Sequence, residues 1–236
     1  MMGLNACLDR RLYGNKAFNL AILIREGFMV PPGKVIPSDY IKKTINKSSL
    51  EASEEELLKI VPEDPFKTEL VVRSSSVQED TLVHSAAGLY YSSKCNKDNY
   101  TREVVKVWKS PHSLSAVNFK KRYSLSLEED IAVIIMPYIL ADKGGVLFTK
   151  HPSFKNMVLE LSNFGSSGVT SGEDKGRPYG LPEDIGNNQL FKKLFEDSEK
   201  IEKIFDCPQD IEFLFLKKDI IYLQSRPIIF KKHIMT

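Results

Sequence analysis

Cysteine is scarce in this 236-residue chain, and the three present, Cys7, Cys95 and Cys207, form no CxxC pair. Neither a disulfide framework nor a thiolate zinc site is expected, and a reducing cytoplasm is the compartment that fits. Long apolar runs are missing as well. No stretch approaches the roughly 20 apolar residues that span a bilayer, so a soluble, unexported protein without a membrane partner is expected. A dominant charge is also lacking, since 33 Lys and Arg face 31 Asp and Glu for a net charge of +2. That balance gives no long-range field for recruiting nucleic acid. Internal repeats and low-complexity tracts are absent too. What remains is an ordinary apolar fraction of 42% in a chain long enough for one large domain or two lobes.

Periodicity places elements along the chain. Ala17 to Glu26 reads as a helix stopped by Gly27, and Pro31-Pro32-Gly33 turns into a short strand at Val35-Ile36. Ser53 followed by Glu56 is a capping-box pattern opening a helix through Leu57, Leu58 and Ile60. Strands are expected at Glu69–Arg73, Leu89–Ser93, Ile131–Met136, Val146–Thr149 and Met157–Leu161. Helices are expected over Tyr100–Trp108, Ser113–Tyr123 and Asn188–Phe205, with polar loops at Ser74–Ser85 and Gly165–Gly180.

The chain closes with two alternating strands, Asp210–Leu216 and Ile220–Arg226, around Lys217-Lys218-Asp219. A three-residue turn would set Glu212 against Gln224 and Asp210 against Arg226 on one face. Ile211, Phe213, Phe215, Ile221 and Leu223 would then line the other. The polar face suits a metal and a polyanion. Pattern alone favours the simpler reading of a solvated outer face, since polar-out alternation is general in half-buried hairpins.

The residues themselves shift that balance. Pro208-Gln209-Asp210-Ile211-Glu212 with Leu223-Gln224-Ser225-Arg226-Pro227-Ile228 resembles the closing signature of the ATP-binding domain of the phosphoenolpyruvate synthase and pyruvate phosphate dikinase family. Gly14-Asn15-Lys16-Ala17, with Gly27-Phe28 and Val30-Pro31-Pro32-Gly33, is similar to its opening. Val72-Arg73-Ser74-Ser75-Ser76 with Glu79-Asp80 and Ala87-Gly88 resembles its RSS-x-x-x-ED-x-AG block, and Gly145-Val146-Leu147-Phe148-Thr149 its GVLFT strand.

The resemblance implies an α/β (α+β) ATP-grasp fold whose two lobes clasp a nucleotide, residues 1–137 forming the N-terminal lobe and 138–236 the C-terminal lobe with the closing hairpin. It implies that Lys16 and Arg73 grip the triphosphate of ATP, that Glu212 and Gln224 hold Mg²⁺, and that Arg226 completes the clamp. Gly88 and Ser92 would belong to a phosphate-covering loop. Met136, where the family carries glutamine, would with Tyr138 and Ile139 face the base, and Glu160 and Asp210 would complete the nucleotide contacts. Phosphoryl transfer needs these types: cations on phosphate oxygens and a carboxylate-held metal.

The four histidines, His84, His112, His151 and His233, stand outside the Thr-Ser/Cys-His context of the family's phosphorylated histidine. The implied function is therefore an ATP-dependent phosphotransferase module passing a phosphoryl group to a histidine on a separate protein, with pyruvate bound by a further subunit. Other acceptors, a phenol, an antibiotic or a glucan, stay open. So does a nucleotide-binding module without turnover.

Overall fold

The expected capping box forms as read: the Ser53 hydroxyl accepts from Glu56 N, and the Glu56 carboxylate accepts from Ser53 N at 2.9 Å. These reciprocal bonds satisfy two orphan donors and fix where that helix begins. The computed structural model describes residues 1–79, 89–141, 143–153, 156–162, 177–181 and 188–230. They fall into two units. One holds Met1–Arg25 and the described residues between Pro31 and Tyr138, the other Glu26–Val30 and those from Ile139 onward.

The first unit contains, in chain order, β1 (Met2–Gly3), α1 (Arg10–Arg25), β2 (Lys34–Ile36), α2 (Tyr40–Ile45), α3 (Glu54–Ile60), β3 (Leu70–Ser75), β4 (Ser92–Cys95), α4 (Tyr100–Lys109), α5 (Leu114–Arg122) and β5 (Ala132–Pro137). Its sheet is antiparallel throughout, in the order β1-β2-β5-β3-β4. One face buries Leu70 and Val72 of β3 with Val133 and Ile135 of β5 against Val104 and Trp108 of α4. Complete burial of such side chains contributes roughly 1.5–3 kcal/mol each, so this layer is what holds the unit together.

The opposite face lies under α1, which starts earlier than expected and is kinked. Gly14 sits at φ 72°, ψ 170°, outside helical space. The helical bond from Ala17 N to Tyr13 O is replaced by the Ser75 hydroxyl of β3, which accepts from Ala17 N at 3.0 Å and donates to Tyr13 O at 2.6 Å. A side chain inserted into the helical ladder is a recognised cause of a kink.

The second unit contains β6 (Lys143–Phe148), β7 (Met157–Ser162), β8 (Arg177–Leu181), α6 (Gln189–Phe205), β9 (Gln209–Leu216) and β10 (Asp219–Pro227). Its antiparallel sheet runs β10-β9-β6-β7-β8. Residues 177–180, expected as the end of a loop, form β8 instead and pair with β7, because the partner strand supplies hydrogen bonds that no local pattern announces. Asn188 caps α6 by accepting from Leu190 N and Phe191 N. That helix packs behind the hairpin, stacking Phe191 on Phe215 and anchoring Tyr222 through a 2.9 Å bond from its hydroxyl to Asp197.

The hairpin departs from expectation in an instructive way. Its turn has two residues, Lys217 and Lys218, so Leu216 pairs with Asp219 rather than Ile220. A β-bulge at Leu223 then adds one residue on β10 and restores the expected pairs Glu212 with Gln224 and Asp210 with Arg226. Ile221 is consequently opposite Leu214, on the Glu212 face, and Tyr222 opposite Phe213. Ile221 and Leu223 pack with Leu214, not with Ile211 and Phe213 as the simple alternation required.

A hydrogen-bonded polar group also lies in the first unit. The Ser49 hydroxyl donates to Asp130 Oδ1 at 2.7 Å and meets His112 Nε2 at 3.0 Å, so that nitrogen carries the ring proton. Burial, reinforced by the Lys120 charge, holds the His112 pKa below its usual value. The unfolded chain takes up the proton first, so the stability tied to neutral His112 is present above the ordinary histidine value of about 6.5 and is lost as pH falls through it. Thermal melts from about pH 7.5 to about pH 5 should show the protein losing stability relative to His112→Gln. Parallel curves would contradict this account.

Candidate functional site

In the second unit, register alone assembles a polar row. Antiparallel partners share a face, so the pairs Glu160 with Val146, Val146 with Glu212 and Glu212 with Gln224 align four side chains across β7, β6, β9 and β10. Strands spaced about 4.8 Å apart put the Glu160 and Glu212 backbones roughly 10 Å from one another, with only Val146 between. The adjacent row carries Asp210 and Arg226, whose guanidinium Nε and Nη2 reach Asp210 Oδ2 at 2.8 and 2.7 Å. Beyond Glu212 the same face turns apolar: Leu214, Ile221 and Leu223 form a cluster joined by Ile139. Carboxylate, amide and guanidinium thus adjoin a greasy patch, chemistry matched to a metal-bound phosphate chain attached to a flat base.

Behind this face the motif residues brace one another. Buried Ser225 donates to Gln209 Oε1 at 2.7 Å, while Gln209 and Thr149 exchange two 2.8 Å bonds, Gln209 N to Thr149 Oγ1 and Thr149 N to Gln209 O. Sequence reading assigned nothing to Gln209, Ser225 or Thr149, although all three stand inside the quoted motifs. Their work is to hold the base of the hairpin against β6.

In the first unit, Lys16 and Arg73 are both buried, 5% and 6% exposed. Lys16 Nζ contacts Glu79 Oε1 at 3.0 Å and donates to Ser74 O at 3.2 Å, immediately beside Arg73. Its partner Glu79 is itself 4% exposed. A buried pair of this kind is expensive to break, because the survivor is left as an uncompensated charge. Arg73 shares its face with Ser92 of β4, its cross-strand partner, and with Ile134 of β5. Val71 and Met136 occupy the next register position, so buried Met136 lies on the Arg73 face. Tyr138 N donates to Glu69 O, and the Lys94 ammonium sits 4.0 Å from the centre of the Tyr138 ring. Gly88, expected to cover phosphates, lies outside the described residues, as does His84.

The structure therefore groups Glu160, Asp210, Glu212, Gln224, Arg226 and Ile139 in one unit. Lys16, Arg73, Ser92, Met136 and Tyr138 belong to the other. The family described as the pyruvate phosphate dikinase AMP/ATP-binding domain matches residues 52–172, just over half of the chain.

The chain belongs to that family. This AMP/ATP-binding domain is 28% identical to a rifampicin phosphotransferase of Bacillus cereus over 66% of the chain and 23% of that protein. It is 24% identical to a probable phosphoenolpyruvate synthase of Archaeoglobus fulgidus over 93% of the chain and 40% of that protein. An uncharacterized phosphotransferase of Bacillus subtilis, YvkC, matches at 22% over 92% of the chain and 33% of its own length. The domain thus spans less than half the length of each of these relatives. Among its described residues no helix is long and apolar enough to cross a membrane, and no group of three His, Cys, Asp or Glu side chains is placed to hold a metal by itself.

Proposed function

We propose that the chain binds ATP with Mg²⁺ and passes a phosphoryl group to a histidine on a separate protein, as a phosphotransferase module of the phosphoenolpyruvate synthase type. The observation that carries this reading is the cross-strand row of Glu160, Glu212 and Gln224 beside Arg226. Glu212 and Gln224 supply oxygen donors of the kind Mg²⁺ takes, and Arg226 answers the phosphate charge. Lys16 and Arg73 take further phosphate oxygens, Ser92 and Gly88 assist there, and Met136, Tyr138 and Ile139 meet the base. Glu160 and Asp210 support ribose, metal or guanidinium. Magnesium supplies charge neutralisation on the phosphates when bound, while the side chains orient the phosphoryl group for in-line attack. Pyruvate would be handled by a further subunit, and the cytoplasm is the compartment that supplies these partners.

A second acceptor class rests on the similarity to a protein named for phosphorylating rifampicin, which points to a small hydroxylated molecule instead of a histidine. The deciding experiment incubates the purified chain with labelled ATP and Mg²⁺, alone, with a histidine-domain protein, and with rifampicin. The expected result is acid-labile label on the histidine protein only, abolished by chelation of Mg²⁺. Label on rifampicin would select the second acceptor. No transfer, together with no calorimetric binding of Mg·ATP at millimolar concentration, would end the phosphotransferase reading.

A further inference from the structure

The first unit contains a second buried ion pair that no motif announces. Lys120 of α5 has no exposed surface, and its ammonium lies 2.9 Å from Glu129 Oε2 and donates to Pro111 O at 3.2 Å. Glu129 is itself 8% exposed, and its carboxylate accepts two further hydrogen bonds, from the Tyr90 hydroxyl at 2.8 Å and from the Ser76 hydroxyl. A carboxylate taken out of water this completely holds its donors firmly, because few alternative partners are within reach.

Ser76 leads directly to Lys16. Its hydroxyl accepts from Gln78 N at 2.8 Å, and its carbonyl accepts from Asn15 N at 3.0 Å. The Asn15 side-chain amide then donates to Val77 O and Glu79 O, at 3.1 and 2.7 Å. The carbonyls of Ser76, Val77 and Glu79 are thereby tied to Asn15, and Gln78 to the Ser76 hydroxyl. Glu79 closes the circuit on the Lys16 ammonium.

We infer that Glu129 is a positioning residue for Lys16: by fixing Ser76 it sets the segment from which Glu79 aims the Lys16 ammonium. Lys120 neutralises Glu129, so its carboxylate serves as a fixed acceptor and not as a competing charge in the phosphate site. The inference rests on the reading of Lys16 as a phosphate contact.

The test uses Ser76→Ala and Glu129→Gln, each in the natural chain and in a Lys16→Met background. It reads the Mg·ATP dissociation constant by calorimetry and, without ligand, the Lys16 Cε–H resonance by NMR. Both substitutions should displace that resonance and weaken Mg·ATP about tenfold, within the range of measured coupling energies, yet add no further weakening once Lys16 is methionine. A purely structural role lowers the melting temperature and leaves the Lys16 resonance in place. An unmoved resonance, or equal weakening with and without Lys16, overturns the inference. If the natural chain binds no ATP, the phosphate reading of Lys16 fails, while the resonance still decides whether Glu129 positions it. Should Glu129→Gln not fold because Lys120 is stranded, Lys120→Met/Glu129→Gln removes the stranded charge and gives the same comparison.

Discussion

Glu212→Ala will abolish the Mg²⁺-dependent part of ATP binding while barely changing the melting temperature. The carboxylate stands half-buried on the second sheet, between Val146 and Gln224, and the core-facing neighbours Ile211 and Phe213 are untouched by the change. Its loss takes away an anionic donor from the row, so Mg·ATP affinity should fall on the order of a hundredfold, at the upper end of what metal-site substitutions cost. Binding of ATP measured without the metal should change little. The packed side chains around Ile211 and Phe213 stay in place, so the loss should fall on metal-dependent affinity far more than on stability, and the two readouts separate. Equal Mg·ATP affinity in the variant and the natural chain would remove Glu212 from the metal.

Gly14→Ala should have the opposite signature, a large loss of stability. A Cβ at this position would lie 2.3 Å from both the carbonyl carbon and the oxygen of Ser75, and 2.5 Å from the Ser75 hydroxyl. The backbone at φ 72°, ψ 170° is in a region that only glycine occupies freely. Strain of about 1–3 kcal/mol adds to an overpacking penalty of similar size, and neither is relieved by rotating a side chain. A loss of roughly 3 kcal/mol or more corresponds to a melting temperature lower by about 10 °C in a protein of this size. Thermal and urea melts check it. A stability change under about 1 kcal/mol would mean that α1 can straighten at Gly14 without its bond to Ser75.

Local signals were read well where the chain announces its own boundary. The capping box at Ser53 lies where the pattern put it, and the helices read as opening at Ser113 and Asn188 do open there, with those two residues serving as caps that satisfy orphan backbone donors within three residues. The pairs Glu212 with Gln224 and Asp210 with Arg226 came out as expected because the two-residue turn and the bulge at Leu223 together replace the three-residue turn that was read, not because alternation holds along β10. Three features were not legible. The start of α1 depends on a hydroxyl 62 residues away replacing a helical bond, and no window of sequence contains both partners. The strand β8 is defined by its neighbour β7. Lys120 and Glu129 read as two charges on a polar stretch, because a lysine buried by tertiary packing has the same letter as one in water. The pairing of Lys16 with Glu79 was half visible, both residues standing in quoted motifs, but nothing in their spacing said that they meet.

The bulge at Leu223 separates two demands that a regular hairpin would tie together. Between the turn and Tyr222, β10 must present Ile220 and Tyr222 to α6; past Leu223 it must present Gln224 and Arg226 to the opposite side. In a strand of strict period two, odd and even positions are locked from end to end, and even-numbered residues could not serve one side near the tip and the other near the base. One extra residue resets the count. The tip and the base of the hairpin therefore behave as separately adjustable segments, so that a change of turn length is absorbed or amplified at Leu223 according to whether the bulge is kept. A matched pair of edits, one residue added in the turn and Leu223 deleted, would preserve the Gln224 and Arg226 register and also leave Ile220, Ile221 and Tyr222 opposite Phe215, Leu214 and Phe213. Alignments across this segment should accordingly be judged by the sum of turn and bulge residues instead of by either gap alone.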